Sequence, residues 1–220
     1  MMNLNDIQPI EKGELHVHLN GVVSTSVVRD LLLKQGAELP AEFDINTDLN
    51  VLSPQESLAE YLNPWQAFRH IPLGIGHLRL MVESAFLNFR EHYVRFVEIR
   101  NSVVYVASLN KITVDEALAW ILAEIQRASE KYNIKAGLIL TVTRGDYAST
   151  HLRSLLCAYK KLGAPKSIVG IDLAGNEDVL SPDDIGPLFV RAKGDHGLKV
   201  TIHAGETGNA ENIRSAVIDF

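Results

Sequence analysis

Two histidines, His16 and His18, stand two residues apart in an apolar run near the start of the chain. Side chains at positions i and i+2 of a β-strand point to the same face of the sheet, so a strand here would project both imidazoles together. Imidazole nitrogens are common zinc ligands, and a catalytic zinc site keeps one coordination position open for water. The pair therefore predicts half of a metal site, whose other ligands must come from elsewhere in the chain.

A later segment, His203-Ala-Gly-Glu206, supplies candidates for the rest of this site. His203 is the predicted third zinc ligand. Glu206 follows a tight Ala-Gly turn and is predicted to lie beside the metal as a proton donor or acceptor. A bound Zn2+ lowers the pKa of its water from about 15.7 toward about 7, which gives hydroxide at neutral pH. Together these residues predict metal-assisted hydrolysis, and the remaining histidines are interpreted as packing or surface residues.

Composition and charge exclude several classes of protein. The chain has 220 residues and a net charge of −6, which argues against a nucleic acid or an anionic membrane as partner because both attract basic surfaces. The single cysteine, Cys157, excludes an intrachain disulfide and a cysteine-rich zinc cluster, and it fits a reducing, cytoplasmic setting. Residues 1–12 lack the apolar core of a signal peptide, and no stretch approaches the roughly 18 apolar residues of a membrane helix.

The positions of apolar residues predict strands that alternate with helices. The predicted strands are residues 13–19, 94–99, 134–143, 167–173 and 198–203. The predicted helices are residues 24–36, 75–90, 113–132, 150–162, 183–193 and 209–220. Residues 37–54 are expected to form a loop, and Pro64 is expected to divide the apolar face from Leu58 to Trp65 into two short helices.

This β-α alternation predicts a parallel sheet with helical crossovers, and it fits two architectures, an open doubly wound sheet and a (β/α)8 barrel. No GxGxxG loop or P-loop is present, so nothing supports a phosphate-binding loop. Polar residues collect where the predicted strands end, among them Arg100, Arg144 and Asp172. Both architectures place their sites at the carboxyl ends of strands, so this feature locates the site without separating the two folds.

Three motifs resemble the successive signatures of the adenosine deaminase family, which belongs to the metal-dependent amidohydrolase barrels. They are ELHVHLNG at residues 14–21, GIDLAGNE at residues 170–177 and HAGE at residues 203–206. The resemblance covers nearly the whole chain in order. It implies a (β/α)8 TIM-type barrel that binds zinc and hydrolyses the 6-amino group of adenosine, giving inosine and ammonia. The cysteine pair of the cytidine-type deaminases is absent.

The resemblance also assigns roles by position. Glu206 corresponds to the glutamate that protonates N1 of the purine ring, which makes C6 more electrophilic. Asn20 corresponds to the residue that faces the ribose 5′-hydroxyl, and the backbone around Gly175 to a turn that contacts the purine. The face from Leu58 to Trp65 corresponds to a hydrophobic gate. The positions that correspond to zinc ligands are His16, His18 and His203, and His18 is also assigned to substrate binding.

One departure from the family pattern concerns the substrate. The family commonly has Asp where this chain has Asn20. An Asn at this position resembles the branch that acts on N6-modified adenine nucleotides, because a carboxylate there would repel a phosphate. The LAG and AGE turns resemble ordinary adenosine deaminases instead. The choice among adenosine, N6-modified AMP and adenine therefore stays open.

A second departure concerns length. The family's later histidine, its late Asp-Asp pair and about three further strands are expected beyond Phe220. Residues 1–220 are therefore predicted to be the N-terminal part of one barrel domain, with about five strand-helix units. An inactive fragment or a binding module without turnover is the alternative from another functional class, and the oligomeric state stays open.

Overall fold

All five predicted strands form, and each ends within two residues of its predicted end. The computed structural model describes residues 8–36, 39, 41, 43–71 and 74–220. In this part of the chain the strands are β1 (Lys12–His18), β2 (Val94–Asn101), β3 (Lys135–Thr143), β4 (Ile168–Ala174) and β5 (Lys199–Ile202). Residues 1–7, and residues 37, 38, 40 and 42 of the predicted loop, lie outside the described residues.

The strands hydrogen-bond in chain order, β1-β2-β3-β4-β5. β4 pairs in parallel with both β3 and β5, and the register places Asp172 between Thr141 and Thr201. Every residue of β4 except Val169 is buried, as expected for a parallel strand covered on both faces. A doubly wound sheet reverses its strand order part-way, so the unbroken order favours the barrel.

Helices connect these strands. They are α1 (Leu19–Val22), α2 (Thr25–Gln35), α3 (Leu58–Tyr61), α4 (Ile75–Glu91), α5 (Val103–Asn110), α6 (Val114–Tyr132), α7 (Ala148–Lys161), α8 (Ile185–His196) and α9 (Ala210–Ile218), with a 3-10 helix at Asn63–His70. The predicted division into two short segments is confirmed, but it falls at Leu62, and Pro64 is the second residue of the 3-10 helix. Helix α5 was not predicted. Among the described residues, no helix is both long and apolar enough to span a bilayer.

The chain divides into two compact units. The first comprises Met1–Pro54, Asn63–Ile99 and Trp120–Gly137. One apolar cluster in this unit joins helix α2, the 3-10 helix and helix α4 through buried residues that include Leu31, Phe68 and Met81. The side-chain amide of Asn88 donates to the carbonyl oxygen of Val22 at 2.7 Å, which satisfies the end of α1.

The second unit comprises Gln55–Leu62, Arg100–Ala119 and Leu138–Phe220. In its core, helix α7 packs against helix α8, and α8 packs against β5. The buried side chains of these two helices include Leu152, Leu155 and Phe189. Helix α9 begins after Asn209, whose side chain accepts a hydrogen bond from the backbone N–H of Glu211 at 3.1 Å. This unit therefore holds in place the ends of β4 and β5, where the later motifs lie.

Candidate metal and catalytic site

His16 and His18 lie together at the end of β1, as the strand pattern predicts. Their ring centroids are 6.1 Å apart and the rings are inclined by 48°. The backbone N–H of His16 donates to Glu14 Oε1 at 2.8 Å. His16 is exposed and His18 is half-buried. Alternation along β1 thus places two imidazoles side by side within the first unit.

Asn20 follows this pair on the short helix α1, directly after the fully buried Leu19. Asn20 is half-buried. The next residue, Gly21, leaves no room for a side chain, because a Cβ there would lie 2.6 Å from Cη2 of Trp65. Trp65 in turn stacks on Phe68, with ring centroids 6.1 Å apart. Trp65, which was predicted to belong to a gate, therefore packs against the segment that carries Asn20. Leu58 and Tyr61 of the same predicted gate belong to the other unit.

His203 immediately follows β5, and a buried carboxylate holds its ring. His203 Nδ1 is 3.1 Å from Asp172 Oδ1, and the hydroxyl of Thr201 donates to the same oxygen at 2.7 Å. Because a carboxylate accepts hydrogen bonds, this contact assigns a proton to Nδ1, which in the neutral ring leaves the lone pair on Nε2. Metal-binding histidines show the same arrangement, since the second ring nitrogen usually donates to a carboxylate or a carbonyl group.

Arg100 completes the surroundings of Asp172. Its side chain is 5% exposed, with Nε 3.7 Å from Asp172 Oδ2 and Nη2 3.4 Å from the Thr201 hydroxyl oxygen. Burial by itself raises the pKa of Asp172. The hydrogen bond and charge of His203, helped by Thr201 and Arg100, outweigh burial and lower that pKa below its usual value. Asp172 is therefore ionised at neutral pH although it is fully buried.

Glu206 lies on an exposed turn that begins at His203. Arg144 Nη2 donates to the carbonyl oxygen of His203 at 2.8 Å. The backbone N–H groups of Gly205 and Thr207 donate to the two carboxylate oxygens of Glu177, the first at 2.7 Å. The turn is therefore held by Arg144 at its first carbonyl and by Glu177 at the amides on either side of Glu206.

The charge of Glu206 affects the pKa values of two neighbouring groups, His203 and Arg144. Burial lowers the pKa of His203, but the hydrogen bond and charge of Asp172, with the charge of Glu206, raise it above its usual value. Burial also lowers the pKa of Arg144, against the charges of Glu177, Glu206 and Asp172. Glu206 thus acts on the predicted metal ligand His203 through its charge.

The backbone conformation explains why the two later motifs contain glycine. Gly205 has φ +88°, and a Cβ there would lie 2.8 Å from Ile213 Cδ1. Gly175, which follows β4, has φ +94°, and a Cβ there would lie 3.0 Å from Cγ2 of Thr143. Both turns therefore require glycine whatever they bind, and the contact of Gly175 with a purine stays a prediction.

Sequence reasoning named the polar strand ends but missed how they work together. Arg100, Arg144 and Asp172 had no assigned role, and Glu177 was only part of a motif. A usable signal was present, because Asp172 interrupts an otherwise apolar strand, and a buried charge requires a partner. The identities of the partners depend on strand pairing, which sequence spacing does not give.

A comparison with protein families identifies the relatives of this chain. The family model described as adenosine deaminase matches residues 11–220. The chain belongs to the adenosine deaminase family. Its three sequence motifs lie at the carboxyl ends of β1, β4 and β5, where a barrel carries its active site.

Individual relatives agree with this assignment, and solved structures share the fold. The chain is 29% identical over 219 residues to an adenosine deaminase of Clostridium kluyveri, and the match covers 98% of this chain and 62% of the relative. A zinc-bound amidohydrolase of Burkholderia ambifaria has the same fold, with a TM-score of 0.82 and 21% identity, over 99% of this chain and 59% of that one. An Arabidopsis N6-mAMP deaminase has a TM-score of 0.78 and 21% identity, over 98% of this chain and 65% of that one.

These likenesses confirm the fold and give the extent of the match. The chain spans about three fifths of the length of the curated relatives it matches. Its five strands and their helices, taken over the described residues, have the fold of the first units of a TIM-type (β/α)8 barrel. The predicted fold class is therefore correct.

Proposed function

We propose that the full gene product containing this chain is a zinc-dependent hydrolase that removes the 6-amino group of adenosine, giving inosine and ammonia. The observation that carries the proposal is the family match over residues 11–220. Within that match, the residue types needed for metal binding and proton transfer fall at strand ends, as a barrel enzyme requires.

We assign the zinc ligands to His16, His18 and His203. His16 and His18 belong to the first unit and His203 to the second. The paired imidazoles of β1 and the Asp172-oriented imidazole of His203 both suit a metal that prefers nitrogen ligands. When bound, zinc supplies a Lewis acid that lowers the pKa of a water molecule.

The proton chemistry is assigned to Glu206. Its carboxyl group donates a proton to N1 of the purine, which draws electron density from C6 and prepares that carbon for attack. The exposed position of Glu206, on a turn fixed by Arg144 and Glu177, supports this role because the carboxyl group can reach a ligand while its backbone stays fixed. His18, Asn20 and Gly175 are assigned to the substrate, His18 in addition to its role at zinc.

The first prediction tests Glu206. The full gene product loaded with zinc is assayed for ammonia release from adenosine, adenine and N6-methyl-AMP, and its zinc content is measured. We expect adenosine turnover, and Glu206→Gln should lower kcat by about 10²–10⁴-fold because the amide cannot deliver a proton. The zinc content should stay unchanged, since Glu206 is not assigned as a ligand.

The matched control is Glu91→Gln, an exposed carboxylate at the end of helix α4, which should retain full activity. Full turnover in Glu206→Gln would contradict the assignment of the proton step. Purine binding without turnover in the unmodified protein would support the binding-module alternative and overturn the proposed activity.

N6-modified AMP is the second candidate substrate, and Asn20 is the observation that favours it. A neutral amide on helix α1 tolerates a nearby phosphate, whereas the Asp common in the family would repel it. Turnover of N6-methyl-AMP above that of adenosine in the same assay would place this protein with the nucleotide-specific branch.

A further inference from the structure

Glu177 is a buried carboxylate that the proposed reaction does not use directly. It lies three residues beyond the end of β4 and is 5% exposed. Burying a carboxylate is costly unless charge and hydrogen bonds compensate it. Both of its oxygens accept backbone N–H groups, Oε2 from Gly205 and Oε1 from Thr207. Burial alone raises the pKa of Glu177, but these hydrogen bonds lower it below its usual value.

The two amides belong to peptide groups that bracket Gly205 and Glu206. Residues 204–207 lie outside any helix or strand, so no regular hydrogen-bond ladder restrains them. Fixing the backbone of one such residue costs roughly 1–2 kcal/mol of conformational entropy. Charge-assisted hydrogen bonds to a carboxylate are about twice as strong as neutral ones, which suits them to oppose that cost.

We propose that Glu177 is the positioning residue for Glu206, because its carboxylate binds the backbone amides on both sides of the residue that delivers the proton. The inference rests on the proposed function. Arg144 binds the same turn through the carbonyl oxygen of His203. Together the two side chains fix both the start of the turn and its catalytic residue.

The test compares Glu177→Gln with Glu124→Gln in the zinc-loaded full gene product. The glutamine keeps the size of the side chain but has one acceptor oxygen, and its NH2 group would face the second backbone N–H. We expect kcat for adenosine to fall by on the order of 10²-fold, since a misplacement of about 1 Å costs that much, while KM and zinc content stay unchanged. The control removes another buried carboxylate, whose partners Arg79 and Arg127 lie outside the turn.

Hydrogen exchange of the amides of Gly205 and Thr207 supplies a readout that does not depend on activity. We expect both amides to be protected in the unmodified protein and at least one to lose protection in Glu177→Gln. Glu177→Asp keeps the charge on a side chain that is shorter by one methylene. Its kcat and the protection of its two amides should lie between those of the unmodified protein and those of Glu177→Gln. This second variant serves if the glutamine variant is too unstable to assay.

The outcomes separate the two proposals. An unmodified protein that is active, with Glu177→Gln no slower than Glu124→Gln, would overturn the positioning role and leave the proposed function intact. Unchanged protection of both amides in Glu177→Gln would also overturn it. A protein that deaminates no purine would overturn the proposed function, and with it the catalytic part of this inference.

Discussion

Asp172 shows how a single buried charge can organise a site. Its carboxylate is fully buried and contacts His203, Thr201 and Arg100. Removing one partner of a buried charge is strongly destabilising, because the remaining charge is left without compensation. The residue therefore does two things at once, since it fixes the tautomer of a predicted zinc ligand and joins β4 to β5 and to the end of β2.

Asn20 is the residue at which substrate choice is predicted to be decided. We expect Asn20→Asp to lower kcat/KM for N6-methyl-AMP by roughly tenfold or more relative to adenosine, because placing like charges together costs several kcal/mol when they are partly desolvated. The measurement is the ratio of kcat/KM values for nucleotide and nucleoside in both proteins. Ser26→Asp, an exposed change on helix α2, is the control for added charge. An unchanged ratio would remove Asn20 from the substrate site.

For individual residues, the sequence predicted which residue types form the site better than it predicted which residues contact each other. His16 and His18 could be paired from spacing alone, because the two-residue repeat of a strand is local. The contacts of Asp172 with Thr201 and His203 depend on the register between β4 and β5, and the contact of Glu177 with the turn depends on how two loops fold back. These contacts join distant parts of the chain, so periodicity cannot show them.

Helices α4 and α6 are joined by a cluster of charges within the first unit. Glu124 on α6, with a side chain 3% exposed, accepts hydrogen bonds from Arg79 on α4 and from Arg127 one turn along α6. The hydrogen bond from Arg79 is the main reason why the pKa of Glu124 lies below its usual value, although burial opposes it. The Arg79–Glu124 salt bridge thus joins two helices that also pack through Phe86 and Tyr132.

This salt bridge predicts how the free energy of unfolding depends on pH. Because the pKa of Glu124 is lower in the folded chain than its value of 4.5 in the unfolded chain, the unfolded state binds more protons in acid. The contribution of Glu124 is therefore fully present above about pH 4.5, and it is lost as pH falls through the folded-state pKa.

Urea unfolding across this range measures the effect. Glu124→Gln should lower the free energy of unfolding at neutral pH by about 1.5–3 kcal/mol, nearer the lower figure because Arg79 is half-exposed. The difference from the unmodified protein should shrink as the pH falls. The exposed change Glu91→Gln should leave both quantities unaltered. A difference that is the same at every pH would assign the stabilisation to packing instead of charge.

Elements with a clear periodic pattern were predictable, and the others were not. The predicted strands were correct to within a residue or two, since each is a short apolar run bounded by turn residues. Helix α5 escaped prediction because its sequence, VVYVASLN, is apolar on every side and begins with β-branched residues. The 3-10 geometry of Asn63–His70 also has no signature in residue spacing.

For the whole molecule, the central prediction concerns zinc and folding. If His16, His18 and His203 bind one ion, zinc binds the folded protein far better than the unfolded chain. At a zinc concentration about 100 times Kd this adds about 2.7 kcal/mol to the free energy of unfolding. A protein of this size should then melt several degrees higher. Thermal melts with zinc and with a chelator measure the shift.

Substitutions of the ligands and of an unrelated histidine complete that experiment. His16→Ala and His203→Ala should each abolish most of the zinc-dependent shift. The exposed His92→Ala, at the end of helix α4, should retain it. A melting temperature that does not respond to zinc in the unmodified protein would contradict the assigned ligand set.

The fold class was predictable from β-α alternation together with motif order, and the family match confirms it. The substrate was not, because the cues at Asn20 and at the later turns disagree. Substrate choice depends on a few side-chain contacts with the ligand, whereas the fold depends on hydrophobic patterning along the entire chain. The fold can therefore be predicted from the sequence, whereas the substrate is determined by assay.

The two hydrogen bonds of Glu177 have a consequence for how such a site can evolve. They bind the main-chain amides of residues 205 and 207, so neither bond uses an atom of the side chain at position 206. A mutation there exchanges the reactive group without moving its attachment point. Residue 206 can therefore be exchanged by natural selection or by protein engineering, which changes the reactive group, while the two hydrogen bonds that hold the turn are kept.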